Sequence, residues 1–157
     1  MNGLSIEQKA DFLQNDFVEK LRSIPTDTAP AWGKLSLQGM IEHMSDSFRN
    51  ANGKELHDLM TEPAHVEKMQ AFLRSDTPFK ENTVNRKMGE TPAPLRWDHV
   101  DDAIGELQAE IADFADVFDQ DKSRTITNPF FGDLNWEDWV LLLYKHATHH
   151  LRQFGAV

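Results

Sequence analysis

The chain has 157 residues, enough for one domain that can bury a core without disulfides or a structural metal. Its 16 basic and 26 acidic residues leave a formal net charge of −10, which argues against nucleic acid and anionic membranes as partners. Cysteine is absent, so disulfides, thiolate metal sites and cysteine nucleophiles are excluded together. Any transition metal must be held by imidazole or carboxylate.

No run approaches the roughly 20 apolar residues of a membrane span. Residues 1–12 lack the basic start and apolar run of a secretory signal, and the expected location is the cytoplasm.

Helical periodicity begins near Leu4 and runs to about Ile24. Ser5 reads as its N-cap, with Gln8 three residues on completing a capping box. Phe12, Leu13, Phe17 and Leu21 form its apolar stripe. The segment from Pro25 to Pro30 cannot continue the helix. A second helix is predicted from a Ser36 cap to Asn52, ended by Gly53 and lined by Leu37, Met40, Ile41, Met44, Phe48 and Ala51. A weaker helix, about Thr61 to Ser75, carries Pro63 in its first turn.

Residues 76–98 show no sustained period and contain three prolines, which predicts a long connection. An extended piece is conceivable only around residues 83–86. The cleanest helical pattern follows, from about His99 to Gln120, through Val100, Ile104, Leu107, Ile111, Phe114 and Phe118. The last helix is predicted from an Asn135 cap to Gln153, with Gly155 beyond it. The expected fold is all-α: a bundle of four main helices, one additional short helix and the 76–98 connection, as a single domain over residues 1–157.

On the last helix, a step of about 100° per residue puts Trp136, Val140, Leu143, Ala147 and Phe154 on one face. His146 and His150 fall beside that face, with Gln153 one turn on. His149 and Lys145 fall toward the flanking or opposite surface, and Arg152 points away, which argues against an anion-binding role for it. Two histidines four residues apart present two ring nitrogens to one metal. Periodicity alone leaves open a pair of core histidines satisfied by hydrogen bonds. His43, between Met40 and Met44, lies at the edge of its stripe and reads from the wheel as a boundary residue. His57, His65 and His99 fall in turns or near helix starts and read as solvated side chains. Trp32, Trp136 and Trp139 read as core.

Two motifs add to this. One is Pro30-Ala31-Trp32-Gly33-Lys34 leading into Met40-Ile41-Glu42-His43-Met44; the other is Asn128-Pro129-Phe130-Phe131-Gly132 leading into Trp139 and KHATHHLRQFG. Together they resemble the DinB/YfiT-like superfamily of four-helix-bundle metalloproteins over nearly the whole chain. The resemblance implies a divalent metal held by one histidine of the second helix and an HxxxH pair of the last, here His43, His146 and His150. It also implies a homodimer. Characterised members include transferases using low-molecular-weight thiols and a thiol-dependent isomerase, so a small-molecule substrate or an external thiol is the expected partner.

Three imidazoles leave coordination positions for water or substrate, the open arrangement of catalytic rather than structural sites. Zinc is the first choice for the metal and nickel the second, since imidazole suits both. Zinc lowers the pKa of a bound water to about 7, or holds a thiol as thiolate. The expected function is a metal-dependent transferase or hydrolase; the alternative is a non-catalytic, stress-related metal or small-ligand binding protein. Asp46, Glu42 and Gln153 are candidates to orient the ligand rings. Free imidazole titrates near about 6.5, so metal affinity is expected to fall between about pH 7 and 5.

Overall fold

The computed structural model describes residues 3–81 and 92–156. Helical structure opens with α1 (Ile6–Asp11), passes through a π-helical turn (Phe12–Asp16) and continues as α2 (Phe17–Arg22). The capping box forms as expected: Ser5 Oγ accepts from the Gln8 amide while Gln8 returns a bond to the Ser5 amide. The π turn, in which the Phe17 amide reaches back to the Phe12 carbonyl, is not signalled by the sequence. Its extra residue re-phases the stripe, so that Phe12 meets Tyr144 edge-on at 5.3 Å while Leu13, Phe17, Val18 and Leu21 stay buried.

The next helix, α3 (Leu37–Ala51), is capped by Ser36, whose hydroxyl accepts from the Gly39 amide, and ends before Gly53 at φ 83°. A shorter α4 (Pro63–Arg74) starts on its proline. The long α5 (Val100–Gln120) follows the 76–98 connection, of which residues 76–81 and 92–98 are described. The extended piece expected around residues 83–86 lies outside the described residues. The last helix, α6 (Trp136–Gln153), is capped by Asn135 accepting from the Asp138 amide.

Between α5 and α6 stands a small antiparallel hairpin, β1 (Ile126–Asn128) and β2 (Gly132–Leu134), with Ile126 opposite Leu134 and Asn128 opposite Gly132. It was not expected, because strands of three residues carry no readable alternation. Asn128 Oδ1 folds its tip by accepting from the Phe130 and Phe131 amides. Gly132, at φ 81°, lets the turn pass under α4, where a Cβ would come within 2.9 Å of Val66 Cγ1. Trp139 is tied to the hairpin by its indole N–H on the Ile126 carbonyl.

The core is filled by Phe17, Met40, Met44, Phe48, Leu107, Phe118, Trp139 and Leu143, all essentially buried. The most extensive helix–helix contact is α3 on α5, and α6 lies against α1, α3 and α4. A polar network locks the far end of the α3–α5 pair. The buried Glu110 carboxylate accepts from Arg49, Asn52 and Lys54. The protein is mostly helical, as the periodicity predicts, and no helix of the described residues is long and apolar enough to cross a membrane.

Candidate metal centre

His43 from α3 meets His146 and His150 from α6 where the two helices face each other. His146 Nε2 lies 3.0 Å from His43 Nε2 and 3.0 Å from His150 Nε2. One ligand nitrogen from each of the three rings lies within 4.8 Å of the others. A metal bound at about 2.0–2.1 Å from two imidazoles holds their nitrogens about 3.0–3.4 Å apart, and both close pairs fall at that spacing. Among the described residues this is the sole grouping of three such side chains able to hold a metal.

Neighbouring groups set the tautomers. Gln153 Nε2 donates to the Trp32 carbonyl, which leaves its Oε1 to accept from His150 Nδ1 at 2.7 Å. With its proton on Nδ1, a neutral His150 presents a bare lone pair at Nε2. Ser47 Oγ donates to the His43 carbonyl and lies 3.2 Å from His146 Nδ1. A hydroxyl has one proton, so with that proton on the carbonyl it accepts from His146 Nδ1–H, which bares the Nε2 of His146 as well. Two lone pairs then face each other at 3.0 Å, an arrangement a cation relieves. The donor set fits a divalent metal.

Burial keeps these rings neutral. His43 is pushed down from 6.5 to about 4, by desolvation first and by the charge of His149 second. His150 falls to about 3, again by desolvation and then by His43. His146 lies well below the ordinary histidine value, by desolvation and its three histidine neighbours. Neutral imidazole is the form that binds metal.

The motif around Gly33 acquires a physical role here. Gly33 sits at φ 78°, and a Cβ on it would lie 3.1 Å from Gln153 Nε2. Its conformation brings the preceding Trp32 carbonyl onto Gln153, while the Ala31 amide bonds the Gln153 carbonyl at 2.7 Å. The two sequence motifs therefore meet at one glutamine beside His150.

Of the three residues expected to orient the rings, Gln153 alone is bonded to one. Buried Glu42 instead accepts from Gln38 and from the amides of Arg96 and Trp97, tying residues 96–97 to α3. Burial would raise its pKa, but those hydrogen bonds hold it below the ordinary value. Asp46 is exposed and pairs with Arg96 at 3.1 Å. Both point from α3 toward the 92–98 segment rather than α6, a direction a single wheel does not distinguish. Ser47, one turn after His43, was missed, although that spacing is itself the signal.

The wheel also misplaced three residues of α6. Lys145 is buried at 8% exposure, its Nζ donating to the Ser75 and Thr77 carbonyls and lying over the Phe72 ring. His149 is half-buried, its ring centroid 5.3 Å from Trp32 and 5.8 Å from Phe79. Arg152 is half-buried too, and its charge reaches His149, adding to the desolvation that lowers that ring to about 4. The cause is common to all three. The second side of α6 is covered by α4 and by the Trp32 segment, so the helix has no simple outer face. His65 and His99 are exposed, as expected, and His57 is half-buried. Trp139 is core, Trp136 and Trp32 are partly covered, and Trp97 is exposed.

The sequence profile of the DinB superfamily matches residues 13–154. The chain belongs to the DinB superfamily. That span takes in His43 on α3, the histidine pair of α6 and all but the final Gly155 of the two motifs that meet at Gln153. No curated protein and no solved structure matches the chain. A DinB bundle with a three-histidine cluster is consistent with a metal-binding protein of this superfamily.

Proposed function

We propose that this DinB protein is a divalent-metal-dependent enzyme of the transferase or hydrolase type, with His43, His146 and His150 as the metal ligands. The observation that carries this reading is the convergence of three neutral imidazoles on one point, with the His150 tautomer set by Gln153. Zinc is the preferred ion and nickel the second. When bound, the ion supplies a Lewis acid that activates water or an external thiol. The chain's own residues present lone pairs, exclude bulk water through the buried side of α6 and fix ring orientation through Gln153 and Ser47. With no cysteine, thiol chemistry has to use a thiol brought from outside. A single domain, a cytoplasmic location and a homodimer complete the proposal.

A second reading, a non-catalytic carrier of metal or small ligand, draws support from one observation. The two carboxylates nearest in sequence to His43, Glu42 and Asp46, are engaged elsewhere, so neither stands on the triad as a general base. The test is a screen of zinc-loaded protein with low-molecular-weight thiols and electrophilic acceptors, and with ester substrates. Product formation abolished in His150→Ala supports the enzyme. Full metal loading with no turnover in either screen supports the carrier.

A further inference from the structure

Beside the triad lie two polar groups that the metal reading does not use. The Nδ1 of His149 is buried and has no hydrogen-bond partner among the described residues. One helical turn on, at i+3, the half-buried Arg152 makes no hydrogen bond or ion pair with a described residue. Arg49, the other half-buried arginine among the described residues, pairs with both Glu55 and Glu110. In a chain of net charge −10, a half-covered guanidinium without a carboxylate is a conspicuous exception.

The surroundings are flat and apolar. The Trp32 ring lies 5.3 Å from His149, and the Phe79 ring stands edge-on to His149 at 5.8 Å and to His146 at 6.1 Å. His149 in turn packs edge-on against His150 at 5.1 Å, so this group adjoins a proposed metal ligand directly. A buried imidazole nitrogen and a half-buried guanidinium one turn apart, neither bonded to a described residue, together suit an anion with two oxygens, above all a carboxylate. An aromatic wall beside them accommodates a planar apolar portion.

We propose that His149, Arg152 and Trp32 form a carboxylate-recognition site next to the triad, and that the substrate class is small planar acids such as aryl carboxylates. His149 in its Nδ1–H form donates to one carboxylate oxygen and Arg152 to the other, while Trp32 lies along the apolar portion. This inference rests on the reading that the triad is where a small molecule is handled, but its binding test does not need the metal.

The experiment titrates benzoate, with benzyl alcohol as the neutral comparison, into the full chain with and without zinc. Binding is followed by tryptophan fluorescence and calorimetry, and zinc content is measured alongside. Wild type should bind benzoate saturably and in preference to benzyl alcohol. Arg152→Gln and His149→Phe, the latter keeping an aromatic ring between Trp32 and Phe79, should each weaken benzoate by about tenfold or more. Benzyl alcohol should bind all three proteins alike. Benzoate bound no better than benzyl alcohol, or equally well by Arg152→Gln, would overturn the proposal. Discrimination for benzoate in a wild type that takes up no zinc would leave the carboxylate site standing and remove the metal reading alone.

Discussion

Gln153 is the residue on which the centre turns, because its side chain has two ends with different tasks. Nε2 is fixed by the Trp32 carbonyl and Oε1 fixes His150 Nδ1–H. Gln153→Leu keeps an apolar filler of similar size but frees the His150 tautomer. Metal affinity should fall about 10–100-fold, read by competition with a chelator, since loss of an orienting partner typically costs that much. An unchanged affinity would show that Gln153 serves packing only. The pH dependence also belongs to single residues. Folding lowers His43 from 6.5 to about 4 and His150 to about 3, so between those values the unfolded chain binds more protons than the folded one. Stability of the metal-free protein is therefore highest above about 6.5 and declines as pH falls toward the folded values. Chemical denaturation across that range checks the sign. The same shifts move proton competition for the metal. A free imidazole loses metal between about pH 7 and 5. In this centre affinity should hold to about pH 5 and collapse only below it, because the rings stay neutral until then.

At the scale of elements, helix starts were the most legible feature, because each has a local chemical cause. Ser5 with Gln8, Ser36, Asn135 and Pro63 all stand where the chain enters a helix. The apolar stripes of α3 and α5 were legible for the same reason, and they are the faces that meet in the core. What could not be read depends on partners distant in sequence. Lys145 is buried because the carbonyls of Ser75 and Thr77 receive its ammonium. His149 is covered because residues 31–33 cross over α6. The hairpin is set by a three-residue pairing and by the close pass of Gly132 under Val66. The triad was half legible: spacing showed the pair on α6, whereas His43 needed the resemblance, since on its own helix it is a boundary residue. Two substitutions test these elements. Gly33→Ala, at φ 78° and facing Gln153, should destabilise by about 1 kcal/mol or more and weaken metal binding together with it. Phe48→Ala, in the α3–α5 contact where Phe48 meets Phe114 edge-on at 5.8 Å, should cost about 3–5 kcal/mol by urea denaturation. That second change should leave the zinc stoichiometry of the remaining folded protein intact, because the Phe48 ring packs on Phe114 of α5, which supplies none of the three histidines.

For the molecule as a whole, the bundle and the centre are separable. The core is apolar and extensive without the histidines, so the metal-free protein should be folded at neutral pH. Zinc should then add only the stabilisation of a bound ligand, about 2.7 kcal/mol at a hundredfold excess over its dissociation constant. A metal-free chain that is unfolded by circular dichroism would instead make the centre structural. The central claim is that His43, His146 and His150 together hold one divalent ion, and a calorimetric zinc titration of protein made without a histidine tag reads it directly. Wild type should take up one equivalent of zinc at neutral pH, and His146→Ala, which removes the ring shared by both close nitrogen pairs, should take up none tightly. Zinc bound equally well by the folded His146→Ala protein, or not at all by wild type, would contradict it.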